Sequence, residues 1–282
     1  MSTFNHQPSY STRPTLRVDL TQIRANYDAL SAKVGAAKIG ASVKADAYGL
    51  GAVPVAKTLY GAGCRIFFVA TAGEGKLLRD GVGPNAAIYV LNGPAPRDKG
   101  VLLGAKLKPV INSIEQARFW GSVASDVREP PYTAIHIDTG MNRLGLTPED
   151  VTELSRDKQL WKNLNPEWVM SHLACAADDK NPMNKTQLQR FRKAAAQLPL
   201  TPLSLANTAG IYLGKPYHFQ MVRPGIGLYG GLPFADAKPV VRLSLPVMQA
   251  RLVAPGESVG YNATWTAQEE KLVATVAAGY AD

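Results

Sequence analysis

Cysteine is scarce in this 282-residue chain, which contains only Cys64 and Cys175. Two cysteines cannot build the disulfide framework of a small secreted protein, and they suit a reducing cytosol. The chain also lacks a run of about 18 apolar residues, the length that a membrane-spanning helix needs. Residues 1–13 are polar and contain no apolar segment of a secretory signal. We therefore expect a cytoplasmic protein without a membrane partner.

Clustered positive charge is absent as well, although Lys and Arg outnumber Asp and Glu by 31 to 22. The basic residues are scattered through segments such as Arg190–Lys193 and form no patch or known nucleic-acid module. We interpret them as solvated helix faces and expect no nucleic-acid partner.

Two further kinds of site lack their sequence signature. The histidines His136, His172 and His218 have no metal-ligand spacing with the cysteines, so we expect no zinc site. The segment Gly73–Lys76 superficially suggests a phosphate loop. It lacks the spacing of a Walker motif and the Ser or Thr that follows the lysine.

Short apolar segments alternate with helical patterns along most of the chain. This alternation implies parallel strands joined by right-handed crossovers, and eight strand–helix units predict an α/β fold of the (β/α)8 TIM-barrel type. The eight segments are Ile39–Val43, Ile66–Ala70, Ala87–Leu91, Lys108–Ile111, Ala134–Ile137, Trp168–Ser171, Leu203–Ala206 and Gln220–Arg223.

Apolar periodicity marks one of the intervening helices, and capping signals mark two others. After Asp19, apolar residues recur at intervals of three and four, which predicts an amphipathic helix. Ser113 and Gln116 have capping-box spacing, and Thr147–Asp150 combines a cap, a first-turn proline and acids.

The pattern changes after about residue 240 to strand-like runs, with a Pro255–Gly256 turn. We predict a flexible lead-in at 1–15, a barrel at 16–240 and the start of a β-rich domain at 241–282. About forty residues are too few to bury a core unaided, so we expect this C-terminal domain to be incomplete. The three runs are Val241–Leu245, Met248–Val253 and Leu272–Ala277.

Lys44 lies where the first apolar segment enters a turn that contains glycine. A desolvated lysine can form a Schiff base with a carbonyl cofactor. A lysine that reaches from a strand end into water is the more ordinary alternative. Position alone therefore leaves the role of Lys44 open.

A second candidate site follows the last two predicted strands, where barrels commonly hold phosphate. Asn207–Gly210 follows the seventh strand and Arg223–Gly227 follows the eighth. The hydroxyl of Thr208 and the backbone N–H groups of Gly225 and Ile226 can converge there on an anion.

Several segments resemble motifs of one enzyme family, in the family's order. Val43–Gly51 resembles the pyridoxal-phosphate attachment motif of bacterial alanine racemases, and the resemblance covers the chain from about Leu16. It implies an enzyme that uses pyridoxal 5'-phosphate to interconvert L- and D-alanine, supplies D-alanine for peptidoglycan and forms a homodimer. The other motifs are Asp138–Gly145, Ser171–Ala174, Ala206–Ala209, Arg223–Gly230, Val259–Trp265 and Gly279–Asp282.

The resemblance implies a role for each site residue. Lys44 would hold the cofactor and act as one base, and Tyr261, supplied in this family by the partner subunit, would be the second. Racemisation needs two bases because a proton leaves one face of Cα and returns on the other. Arg143 would orient the substrate carboxylate. The remaining cofactor contacts would be Tyr48 at the phosphate, His172 at the ring, Arg223 at the pyridine nitrogen, and Asn207, Thr208, Gly225 and Ile226.

One position departs from the family pattern. Many members have a carbamylated lysine seven residues before the arginine that is Arg143 here, whereas this chain has His136. Carbamate is not expected at that position, which leaves open how Arg143 is held.

Three other readings stay open. A non-catalytic pyridoxal-phosphate homeostasis protein shares the barrel, but it lacks the β-rich domain and Tyr261. A broad-specificity racemase would accept large or basic side chains, and an amino-acid decarboxylase would release carbon dioxide. Substrate profiling separates these two enzymes from an alanine racemase.

Overall fold

The apolar segments predicted from the sequence are the strands of a closed parallel barrel. The protein is described here from a computed structural model that covers residues 13–234 and 236–280. Most of the predicted lead-in, residues 1–12, and the last two residues of the Gly279–Asp282 motif lie outside the described residues.

Strands and helices alternate through the described residues. The strands are β1 (Thr15–Val18), β2 (Lys38–Ser42), β3 (Ile66–Val69), β4 (Ala87–Val90), β5 (Lys108–Ile111), β6 (Thr133–His136), β7 (Pro166–Met170), β8 (Leu203–Asn207), β9 (Met221–Arg223), β10 (Val241–Ser244), β11 (Val247–Val253), β12 (Ser258–Val259), β13 (Trp265–Thr266) and β14 (Lys271–Val276). The helical segments are α1 (Leu20–Val34), α2 (Lys44–Gly49), α3 (Ala52–Gly61), α4 (Ala72–Val82), α5 (Lys99–Gly104), α6 (Ile114–Ser125), α7 (Pro148–Arg156), α8 (Lys158–Leu164), α9 (Pro182–Ala195), α10 (Thr208–Tyr212) and α11 (Lys215–His218). Single 3-10 turns lie at Pro96–Asp98, Ile226–Tyr229 and Tyr261–Ala263.

Strands β2 to β9 pair in parallel in chain order, and β2 closes the barrel against β9 through Lys38 with Met221 and Ile39 with Val222. The predicted (β/α)8 barrel is therefore confirmed. Its strands are apolar on both faces because one face fills the barrel and the other packs against helices. Phe68, Trp168 and Met170 belong to the buried cluster inside the barrel.

Side-chain caps begin the three helices marked in the sequence, and two of these caps, Ser113 and Thr147, were predicted. The Asp19 carboxylate accepts a hydrogen bond from the Gln22 N–H at 2.9 Å and caps α1. Ser113 caps α6, and Thr147 with Asp150 forms a reciprocal capping box at α7. These caps satisfy N–H groups that the first turn of a helix leaves without a partner.

A second unit contains the strands outside the barrel, in residues 13–18 and 241–280. Within it, β1 pairs with β10, β11 with β14, and β12 with β13, all antiparallel. The predicted β-rich region is confirmed, and each of its three predicted strands lies within one residue of an observed one. Large apolar side chains are exposed on it, including Leu16, Met248, Leu252 and Leu272.

The helices offer no membrane span. In residues 13–234 and 236–280, none is both long enough and apolar enough to cross a bilayer.

Candidate active site

A cavity of about 520 Å³ lies at the C-terminal ends of the barrel strands. One predicted site residue does not line this cavity: Tyr261 belongs to the second unit, residues 13–18 and 241–280, and its side chain is 94% exposed. The cavity brings together the other predicted site residues: Lys44, Tyr48, Arg143, His172, Asn207, Thr208, Arg223, Gly225 and Ile226. His136 also lines it.

Lys44 opens a helical turn with an unusual backbone. The four residues that follow it, Ala45–Tyr48, all have φ between 52° and 59°, so α2 is one turn of left-handed helix. Each non-glycine residue in this conformation costs about 1–2 kcal/mol relative to the right-handed form. The Ala47 N–H donates to the Val43 carbonyl at 2.9 Å within the turn. The turn was expected, but its left-handed conformation was not, because none of the four residues is glycine.

The Tyr48 side chain leans over the segment that follows β9. Its ring centroid lies 4.9 Å from that of Tyr229. A Cβ added to Gly225 would lie 2.3 Å from the Tyr48 hydroxyl oxygen, so only glycine leaves room for that hydroxyl. Burial raises the pKa of Tyr48 above its ordinary value of 10, which keeps the hydroxyl protonated and able to donate.

Thr208 joins the ends of β8 and β9. Its hydroxyl oxygen accepts hydrogen bonds from the Gly225 N–H at 3.1 Å and the Gly227 N–H at 3.2 Å. The neighbouring Asn207 caps α10 by accepting from the Gly210 N–H at 2.9 Å. Because Thr208 accepts from both N–H groups, its own hydroxyl hydrogen is the group that it can offer to an anion at this edge of the cavity.

Arg223 is a buried cation held by neutral acceptors. Its guanidinium donates to the Ser204 hydroxyl at 2.5 Å, to the Ser171 carbonyl and to the Leu205 carbonyl at 3.4 Å. No carboxylate forms an ion pair with it among the described residues. Burial lowers the pKa of Arg223 to about 9, which still leaves the side chain protonated at neutral pH.

Two neutral histidines face this cation. Burial, followed by the charge of Arg223, lowers the pKa of both His136 and His172 to about 3. Asn112 Oδ1 lies 2.8 Å from His136 Nδ1, while the Asn112 amide nitrogen donates to the Leu91 and Val110 carbonyls. Since Asn112 presents its oxygen to the imidazole, His136 carries its hydrogen on Nδ1 and leaves Nε2 as an acceptor.

The segment that carries Arg143 is organised by Asp138, which the sequence reasoning missed as a functional residue. The Asp138 carboxylate accepts hydrogen bonds from the N–H groups of Gly140, Met141 and Asn142, at 2.8–3.2 Å. The Asp138 N–H donates in turn to the Leu146 carbonyl at 3.0 Å. Backbone contacts to Asp138 therefore close the loop on which Arg143 is presented. The signal in the sequence was an Asp two residues before a glycine at a strand end.

Comparison with known proteins gives the same family for both parts of the chain. Residues 18–233 match the model of the alanine racemase N-terminal domain, and residues 240–282 match that of the alanine racemase C-terminal domain. The alanine racemase of Dinoroseobacter shibae is 48% identical over 270 residues, which are 95% of this chain and 75% of that protein. The catabolic alanine racemase of Agrobacterium fabrum is 45% identical over 271 residues, 95% of this chain and 70% of that protein.

Solved structures of the family share the fold. The alanine racemase of Bartonella henselae, with covalently bound pyridoxal phosphate, has a TM-score of 0.88 and 34% identity, covering 98% of this chain and 77% of that one. The biosynthetic alanine racemase of Pseudomonas aeruginosa has a TM-score of 0.86 and 32% identity, covering 96% and 77%. The resemblance seen in the motifs is confirmed, and the chain belongs to the alanine racemase family of pyridoxal-phosphate enzymes.

Proposed function

We propose that this chain interconverts L-alanine and D-alanine in the cavity at the C-terminal ends of its barrel strands. The observation that carries the proposal is the meeting of Lys44, Arg223 and Thr208 around one volume of about 520 Å³. An amine, a buried cation and an anion-binding edge are the groups that a phosphorylated aromatic aldehyde needs.

The residues of the cavity fit pyridoxal phosphate. Gly225 leaves the space that a Cβ would fill beside the Tyr48 hydroxyl, and the Thr208 hydroxyl lies at the same edge. We assign the phosphate to Tyr48, Thr208, Gly225 and the Ile226 N–H, with Asn207 supporting that edge by capping α10. Arg223, a donor with no carboxylate partner among the described residues, suits the ring nitrogen, and the neutral His172 borders the ring. Lys44 would hold the cofactor until a substrate amine takes its place, and the cofactor would then supply electron withdrawal from the substrate Cα while the freed Lys44 amine is available as a base.

Proton transfer would use one base on each face of the substrate. Lys44 removes or returns the proton on one face of Cα, and Tyr261 of a second copy does so on the other. The 94% exposure of Tyr261 supports this role, because a side chain that serves another subunit must be accessible on its own. Arg143 binds the substrate carboxylate through its planar pair of donors.

The finer assignments follow from this reaction. A base supplied in trans requires a homodimer, with residues 19–240 as the cofactor-binding barrel and the region 241–282 as the one that supplies Tyr261. We propose a cytoplasmic enzyme whose D-alanine supplies peptidoglycan synthesis. The presence of Tyr261 in a β-rich region argues against a homeostasis protein of the barrel alone.

The test is production of D-alanine from L-alanine with added pyridoxal phosphate, together with an absorbance spectrum of the bound cofactor. Lys44→Ala should lose the cofactor band and at least about a hundredfold of the rate. Lys57→Ala, which removes an exposed lysine on α3, is the matched control and should behave as the parent chain. Full activity in Lys44→Ala would contradict the assignment of Lys44. Cofactor binding by the parent without turnover would favour a carrier protein.

A further inference from the structure

The segment Gly73–Lys76, which lacks the features of a phosphate loop, contains Glu74, whose carboxylate contacts the left-handed turn after Lys44. Glu74 lies in the first turn of α4, and its N–H donates to the capping Thr71 hydroxyl at 3.2 Å. An acid at this position usually accepts a hydrogen bond from the N–H of the cap residue itself. Glu74 Oε2 accepts instead from the Ala70 N–H at 3.0 Å and from the Ala45 N–H at 3.2 Å. One carboxylate oxygen therefore links the end of β3 to the residue that follows Lys44.

The contact holds the beginning of the left-handed turn. Ala45 is its first residue, with φ 52° and ψ 51°. Asp46, the next residue, links the turn to the chain after it: its Oδ1 accepts from the Ala52 N–H at 2.6 Å and its carbonyl accepts from the Gly51 N–H at 2.9 Å. Non-glycine residues persist in such a conformation only where surrounding contacts impose it. Without Glu74, the turn keeps its anchor at Asp46 and loses the one beside Lys44.

We propose that Glu74 is a positioning residue, which fixes the left-handed turn and thereby the direction in which Lys44 enters the cavity. The proposal rests on the proposed role of Lys44 in holding the cofactor. Glu74 acts through the reach of one oxygen atom, not through its charge. A glutamine at this position keeps an acceptor oxygen at the same distance from the backbone, whereas an aspartate keeps the charge and is one methylene too short.

Three substitutions of Glu74, two controls and Lys44→Ala separate a role of the oxygen's reach from one of charge or helix stability. Glu74→Ala removes the acceptor, Glu74→Asp shortens it, and Glu74→Gln keeps it without charge. Thr71→Ala is the structural control, because it removes the cap of α4 and leaves Glu74 in place. Asp80→Asn is the second control. It removes an acid on the same helix, but this acid pairs with Lys76 and does not contact the turn. Lys44→Ala reports on the proposed function itself.

Two measurements apply to all of them, besides kcat and KM for L-alanine. The first is the dissociation constant of pyridoxal phosphate, from an absorbance titration. The second is amide hydrogen exchange of the peptide covering residues 44–51 in protein without added cofactor. Glu74→Ala and Glu74→Asp should weaken cofactor binding about tenfold, the upper end of the effect of losing one ordinary hydrogen bond, and should speed exchange in that peptide. Glu74→Gln, Thr71→Ala and Asp80→Asn should stay within about twofold of the parent.

Two results would overturn the proposal. One is an equal loss of cofactor affinity in Thr71→Ala and Glu74→Ala, which would make the effect one of helix stability. The other is parent-like behaviour of Glu74→Asp with a defect in Glu74→Gln, which would make it one of charge. If the parent and Lys44→Ala bind the cofactor equally, the proposed function fails. Exchange at 44–51 then decides alone: faster exchange in Glu74→Ala supports the role of Glu74 in the turn, and unchanged exchange overturns it.

Discussion

Ser204 stands between Arg223 and the backbone of β9, accepting from the Arg223 guanidinium at 2.5 Å and donating to the Met221 carbonyl at 2.8 Å. The hydroxyl is buried, and its single hydrogen is used by Met221. Its oxygen is therefore fixed as an acceptor for the guanidinium, in a place where water cannot replace it.

Ser204→Ala should consequently lower the free energy of unfolding by about 1–3 kcal/mol, because a buried donor of Arg223 loses its partner. It should also weaken pyridoxal-phosphate binding, since the guanidinium is no longer fixed. The measurements are urea denaturation and a cofactor titration. Ser171→Ala is the matched control: its hydroxyl contacts Thr139, while the carbonyl that Arg223 uses remains. Equal loss of cofactor affinity in both variants would contradict the prediction.

The stability of the barrel should depend on pH through two neutral histidines, the buried His136 and the partly exposed His172. The pKa of His136 and of His172 is about 3 in the folded protein, below the ordinary value of 6.5. Between these values the unfolded chain binds more protons than the folded one, so stability is full above about pH 6.5 and is lost as the pH falls toward 3. Each imidazole contributes about 1.4 kcal/mol per pH unit in this window.

Urea denaturation at pH 7.5, 6 and 5 measures this dependence. His136→Gln, which can still donate to Asn112, should reduce the slope because one titrating group is gone. An unfolding free energy that is constant from pH 7.5 to 5 would show that these imidazoles are not buried in the neutral form.

Gly225→Ala should weaken cofactor binding without unfolding the protein. The added methyl group would lie 2.3 Å from the Tyr48 hydroxyl. The Tyr48 side chain must therefore move away from the place proposed for the phosphate. We expect at least about a tenfold increase in the dissociation constant of pyridoxal phosphate, the equivalent of one lost hydrogen bond. Gly100→Ala on α5 is the control, because nothing lies within 4 Å of its added Cβ. Unchanged affinity in Gly225→Ala would remove Tyr48 from the phosphate site.

Arg223→Glu should shift the reaction from racemisation toward transamination. A guanidinium with a pKa of about 9 keeps its proton at neutral pH and, in the proposed arrangement, would leave the ring nitrogen of the cofactor without one. A carboxyl group there would favour a protonated ring, which would withdraw electrons more strongly and let the amino group stay on the cofactor as pyruvate leaves. The ratio of pyruvate to D-alanine formed from L-alanine should rise about tenfold or more, a change of at least about 1.4 kcal/mol in the relative barriers. An unchanged ratio would contradict this role of Arg223.

The barrel could be predicted because each of its strands is a short apolar run in the sequence. A strand buried on both faces reads as a continuous apolar run, and Ile66–Ala70 or Lys108–Ile111 matches its observed strand to within one residue. The Thr147–Asp150 cap is equally legible, because it depends only on neighbouring residues. Strand β1 was not predicted, since Thr15–Val18 forms it only through pairing with β10, far along the chain.

The sequence motifs predicted the residues that line the cavity, but they did not predict the residues that hold those side chains in place. Lys44, Thr208 and Arg223 lie in the motifs that carry the family resemblance, whereas Glu74 and Ser204 lie outside those motifs. The roles of these two depend on which distant backbone groups the fold places beside them. The left-handed conformation of residues 45–48 could not be predicted either. Contacts from outside the turn impose this conformation on residues that do not prefer it.

The pairing of β1 with β10 means that the barrel interrupts the second unit. Residues 19–240 separate Val18 from its partner Val241. At about 5–20 residues per second, the ribosome needs roughly ten to forty seconds to make that interval. Throughout it β1, with its apolar Leu16, has no partner strand, so a nascent chain exposes an open strand edge until the whole barrel has been synthesised.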